Sequence, residues 1–161
     1  MGTRGLFGFY YKGKYYVVYN HFDSYPSGLG VDIVNELKWA IKAGKLDEWI
    51  ALLEKIKIID YDMKPTAEDI EKLKPYTDLR VSSQSTLDWY CLLRHCQGSL
   101  ESVLNSGYLL NAVNSTGNPN WEEYAYIVNF DTKKLDFYIS DRLEESFELD
   151  VAKLPNFAIE Y

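Results

Sequence analysis

The chain has 161 residues, a formal net charge of -7 and a hydrophobic fraction of 47%. That length predicts one domain, residues 1–161, with a core large enough to need no disulfide or metal staple. The acidic balance argues against nucleic acid or an anionic membrane as a partner, since both attract clustered Lys and Arg. No run approaches the roughly 18 apolar residues of a membrane span. The N-terminus lacks the charged-then-apolar plan of a secretory signal, so the sequence reads as cytoplasmic. Met1-Gly2 opens like a myristoylation site, but Leu6 stands where that motif takes Ser or Thr.

In chain order, residues 5–11 and 14–21 are rich in Phe, Tyr and Val and are broken by Lys12-Gly13, which predicts a β-hairpin with glycine supplying positive φ. On its second strand Tyr16, Val18 and Asn20 share one face, and Tyr15, Val17, Tyr19 and His21 the other. If the strand continues, Asp23 joins the face of His21. A polar loop from Asn20 to Gly30 follows. Asp32 then reads as the N-cap of a helix carrying Ile33, Leu37, Ala40 and Ile41 and stopped by Gly44. Leu46, Trp49, Ile50, Leu53 and Ile56 repeat the pattern for a second helix.

Lys57 to Asp62 has the β-branched content of a short strand, and Thr66 caps a short third helix that ends before Pro75. Ser85 with Asp88 resembles a capping box for a helix through about His95. Gly98-Ser99 restarts a turn and helix ending at Gly107. Tyr108 to Val113 reads either as strand or as helix tail. After the loop Asn114 to Asn120, Tyr124 to Phe130 and Leu135 to Ser140 form a second hairpin, and Phe147 to Leu149 and Phe157 to Ile159 read as short edge strands. The fold class is therefore α+β: an antiparallel sheet built from N- and C-terminal hairpins, with the central helices packed on one face.

The candidate site is the loop between strand and helix. His21 and Asp23 supply an imidazole and a carboxylate, the residue types of an acid–base pair or of two metal ligands. The bland account of the same residues is loop hydrogen bonding by His21 and an Asx-type cap by Asp23. Asn20, Ser24, Tyr25, Gly28 and Gly30 crowd the same stretch, and glycines ahead of a helix can offer backbone N–H groups to an anion. Arg4 is a candidate clamp for that anion and equally a solvated terminal charge. A metal would need a third ligand from a carboxylate, Cys91 or Cys96, and none is expected. Cys91 and His95, at i, i+4, would share a helix face. Both cysteines read first as reduced, buried thiols.

The opening Met1-Gly2-Thr3-Arg4, the loop Asp23 to Gly30 and the tyrosine-rich stretch from Glu123 to Asp131 with Leu135 to Tyr138 resemble a group of uncharacterised proteins from bacteria, phages, large viruses and fungi. That resemblance covers both ends of the chain and implies no established activity. Gly2 to Gly8 and Phe22-Asp23-Ser24 also resemble N-terminal-nucleophile hydrolases of the glutamine amidotransferase type, although removal of Met1 would expose Gly2, which has no nucleophile. Two functions follow from the residues. One is a small-molecule binder or hydrolase-like enzyme taking an anionic ligand on the 20–30 loop. The other is a non-catalytic, viral- or phage-type interaction protein presenting tyrosine-rich strands. The residues name no cofactor and leave the oligomeric state open.

Overall fold

The computed structural model describes residues 3–159 and 161. Met1 and Gly2, and with them the myristoylation reading, lie outside the described residues. The chain runs β1 (Gly5–Tyr11), β2 (Lys14–Asn20), a π-helical turn (Pro26–Gly30), α1 (Val31–Lys42), α2 (Leu46–Glu54) and β3 (Lys57–Ile59). It continues through α3 (Ala67–Lys72), α4 (Trp89–Leu92), α5 (Leu100–Ser106) and β4 (Tyr108–Leu110), and closes with β5 (Tyr124–Asn129), β6 (Lys134–Ile139) and β7 (Arg142–Glu148).

Five strands form one sheet in the order β2-β1-β5-β6-β7. The two hairpins meet at its centre as expected from alternation, but β1 and β5 pair in parallel, with Gly5 opposite Tyr124 and Phe9 opposite Val128. The antiparallel sheet predicted from sequence is thus mostly antiparallel, with this one parallel junction at its centre. Hairpin patterning fixes the pairing within each hairpin but not the direction in which two hairpins abut. At the first hairpin's turn Lys12 (φ 49) and Gly13 (φ 74) both adopt left-handed conformations. Asp131, from the turn of the second hairpin, accepts their backbone N–H groups at 2.8 and 3.0 Å, so one carboxylate ties the two turns together.

The two faces of the sheet feed two clusters. Phe7, Phe9, Val18, Tyr126, Val128, Leu135 and Phe137 join Ile33, Leu37, Trp49, Leu53, Trp89 and Leu104 in the main core. Leu6, Val17, Ala125 and Ile127 join Ala112, with Tyr10, Tyr15, Tyr19, Trp121 and Tyr138 packed around them. The period-2 alternation of β1, β2 and β5 is what divides these sets. Val17 O accepts from Ala112 N–H at 3.2 Å, so the 111–121 segment also covers the outer edge of β2.

Several local expectations are corrected. Asp32 does not cap α1: the π-helical turn runs directly into the helix, Gly30 takes the N-cap position, and Asp32 lies in the first turn. The helix predicted from Ser85 through His95 contracts to α4 followed by a 3-10 turn at Arg94–Cys96. Its cap is Asp88, whose carboxylate accepts from Tyr90 N–H, and Cys91 and His95 consequently share no continuous helix. Phe147 belongs to a longer strand, β7, while Phe157 is not in a strand. It is a buried plug against Tyr126, Phe137 and Phe147. Thr66 caps α3 as expected and does so through a capping box with Asp69, and Ser99 and Gly107 bound α5. Tyr108–Leu110 resolves as a strand, pairing in parallel with β3.

Candidate functional site

The loop after β2 is held from inside. Ser24 is fully buried; its N–H donates to the Thr3 carbonyl at 3.1 Å, its hydroxyl donates to the Asn20 carbonyl at 3.3 Å, and its own carbonyl accepts from the Tyr126 hydroxyl at 2.8 Å. Asp23 takes a left-handed conformation (φ 54), which ends the strand alternation and lets its carbonyl accept from Leu29 N–H at 2.9 Å. Gly28 is required by close approach: a Cβ there would sit 2.3 Å from the Asp23 carbonyl oxygen. At Gly30 a Cβ would meet Phe157 at 2.9 Å and Tyr126 at 3.0 Å. The glycines thus let the loop fold tightly onto itself and onto the sheet.

Beside this loop lies a polar cavity of about 320 Å³, walled by Asn20, Phe22, Asp23, Tyr25, Ser27, Gly28, Leu29, Asp32, Arg94, Gln97 and Gly98. Asn20 is 6% exposed, and its amide nitrogen donates to the Phe22 carbonyl at 2.7 Å and to Ser24 Oγ at 2.9 Å. Its Oδ1, which accepts no hydrogen bond among the described residues, is open to the cavity and lies on the Gly98 side, 3.8 Å from where a Gly98 Cβ would stand. Gln97 Oε1 accepts from His21 N–H at 3.0 Å, which tethers the 94–98 turn to the loop and leaves the Gln97 NH2 as the uncommitted end of its amide. Arg94 lies over the Phe22 ring at 5.8 Å and forms no ion pair among the described residues. Burial pushes the Asp32 carboxyl above its ordinary value.

Of the residues singled out from sequence, Asn20, Asp23, Tyr25 and Gly28 meet at this cavity, and Arg4, His21, Ser24 and Gly30 do not line it. The reason is strand geometry. Asn20 lies on the main-core face of β2, whereas Tyr19 and His21 belong to the other side. His21 Nδ1 is 2.7 Å from the Tyr19 hydroxyl, and the imidazole contacts the Phe22 and Tyr90 rings. Tyr19 is pushed up chiefly by burial, with Arg4 opposing and Glu122 and Tyr90 reinforcing. Arg4 therefore acts on that side of the strand, while its N–H reaches Glu123 Oε2 at 3.3 Å. The Gly28 N–H is already given to the Tyr25 carbonyl at 2.9 Å. Arg94, Gln97 and Asp32 were not singled out as site residues. No spacing rule links a turn some seventy positions away to the loop, and the sequence around Asp32 reads as a helix cap.

Among the described residues no group of three or more His, Cys, Asp and Glu side chains could hold a metal. Cys91 and Cys96 are buried free thiols, the latter pushed up to about 12 by burial. The tyrosines of the second sheet face are engaged internally: Tyr10 packs on Tyr15 at 4.6 Å and Trp121 on Tyr138 at 4.6 Å. No helix is long and apolar enough to cross a membrane among the described residues. No family model, curated protein or solved structure matches the chain.

Proposed function

We propose that this protein binds a small polar molecule in the cavity between the 20–30 loop and the 94–98 turn, with an anionic group of the ligand on Arg94. The observation that carries this reading is the pairing of Arg94, a guanidinium with no carboxylate partner among the described residues, with the buried Asn20, whose Oδ1 is uncommitted at the same cavity. A guanidinium at a concave wall with no ion-pair partner, beside an amide oxygen that is open to the cavity, is poised for an external polar ligand. The loop that Asp23, Gly28 and Ser24 rigidify keeps the wall preorganised, which lowers the ordering cost of binding.

Thermal melts of the full chain in the presence of inorganic phosphate, nucleotides, and mono- and dicarboxylates test this reading, since a ligand that binds only the native state raises the melting temperature. At least one anion is expected to raise it in the parent protein and to lose that effect in Arg94→Gln. Flat melts across the whole set would remove the reading.

A further inference from the structure

The cavity offers two chemically distinct ends. Arg94 and Gln97 bring N–H donors to its lining, and Asn20, Asp23 and Asp32 bring acceptor oxygens. Neither Asp23 nor Asp32 forms an ion pair with Arg94 or with any other described residue, although all three residues line one cavity. Opposite charges that share a cavity without closing on one another leave the intervening position to something that satisfies both.

We infer that the ligand is a zwitterion, its anionic group on Arg94 and Gln97 and a cationic nitrogen on Asp23, Asp32 and Asn20 Oδ1. This deepens the binding function proposed above and rests on it. Charge counting favours this class over its rivals. Asp23 and Asp32 outnumber Arg94 among the charged lining residues, so a molecule that also carries a positive group is favoured over a simple anion. A simple cation leaves the Arg94 guanidinium unmatched. A molecule carrying both charges neutralises each end. The partial desolvation that already disfavours the ionised form of Asp32 is relieved when an ammonium or guanidinium group comes to rest beside it.

The test is calorimetric titration of the full chain with a ruler series of amino acids, glycine, β-alanine, γ-aminobutyrate and ε-aminocaproate, each beside the carboxylate and the amine of matched length. The expected result is that one chain length binds about tenfold or more tighter than both of its matched single-charge analogues, the order of one charge-assisted hydrogen bond. Asp32→Asn should then erase the preference over the carboxylate, and Arg94→Gln the preference over the amine. If the matched carboxylates bind as tightly as the amino acids, the zwitterion inference fails while the anion-binding function stands. If no member of any series gives heat or a melt shift, and phosphate and nucleotides are equally silent, both fail.

Discussion

The Tyr126 hydroxyl, at the centre of the sheet, donates to the Ser24 carbonyl at 2.8 Å across the fully buried base of the loop. It is the direct link between the parallel strand pair and the candidate site. Tyr126→Phe removes the donor and leaves a buried carbonyl without a partner, which costs about 1–3 kcal/mol. Urea denaturation should read that loss. Hydrogen exchange should quicken at the Ser24 and Leu29 amides more than at the centre of β5.

Glu36 on α1 organises the start of α5. Its carboxylate accepts from the Ser99 hydroxyl at 2.8 Å, Leu100 N–H at 2.7 Å and Glu101 N–H at 3.2 Å. Burial nevertheless pushes its pKa up, against the pull of those hydrogen bonds. A carboxyl raised in the folded state binds its proton more tightly there than in the unfolded chain. Its contribution is therefore fully present below the unfolded pKa and is lost as pH rises through the folded one. Relative to Glu36→Gln, the parent protein should be most favoured at the acid end and lose ground as pH rises above about 4.3. Denaturant midpoints across that range check the sign.

Asp88 has the opposite sign. Burial would raise it, but the hydroxyls of Ser83, Ser82 and Tyr61 and the Tyr90 N–H outweigh that and hold it at about 2. Its contribution is present above the unfolded pKa and lost as pH falls from about 4 through about 2. Asp88→Asn should lower stability at neutral pH by about 1–2 kcal/mol and flatten the acid limb of the stability curve.

Gly28→Ala should disturb the site without touching any charged group. The added methyl would stand 2.3 Å from the Asp23 carbonyl, so the backbone must move, at a cost of about 1–3 kcal/mol. A lower melting temperature and weakened anion binding should appear together.

Much of the fold was legible because its signals are local. Lys12-Gly13 marks the first turn, alternation divides the faces of β2, Thr66 and Ser99 announce α3 and α5, and Gly107 closes the last. The parallel junction of β1 with β5 was not legible, because it depends on how the helical middle returns the chain and not on any strand's own pattern. The site was half legible. Crowding of Asn20, Asp23, Tyr25 and Gly28 points to the loop that borders the cavity, yet the same i, i+2 reasoning that pairs His21 with Asp23 assumes an extended backbone. The left-handed turn at Asp23 breaks that assumption. Arg94 and Gln97 come from a turn whose helix ends early, and their proximity is purely tertiary.

The central claim is that the cavity beside the 20–30 loop is a ligand site. A two-dimensional NMR titration of the full chain with the ruler amino acids and with phosphate tests it most directly, because it reports where a small molecule binds as well as whether it does. Binding in the cavity gives saturable shifts confined to the Asn20 and Gln97 side-chain amides, the Arg94 guanidinium and the backbone of Phe22 to Gly28. Saturable shifts centred elsewhere, on Trp121 and Tyr138 for example, or no shifts at all, would contradict it.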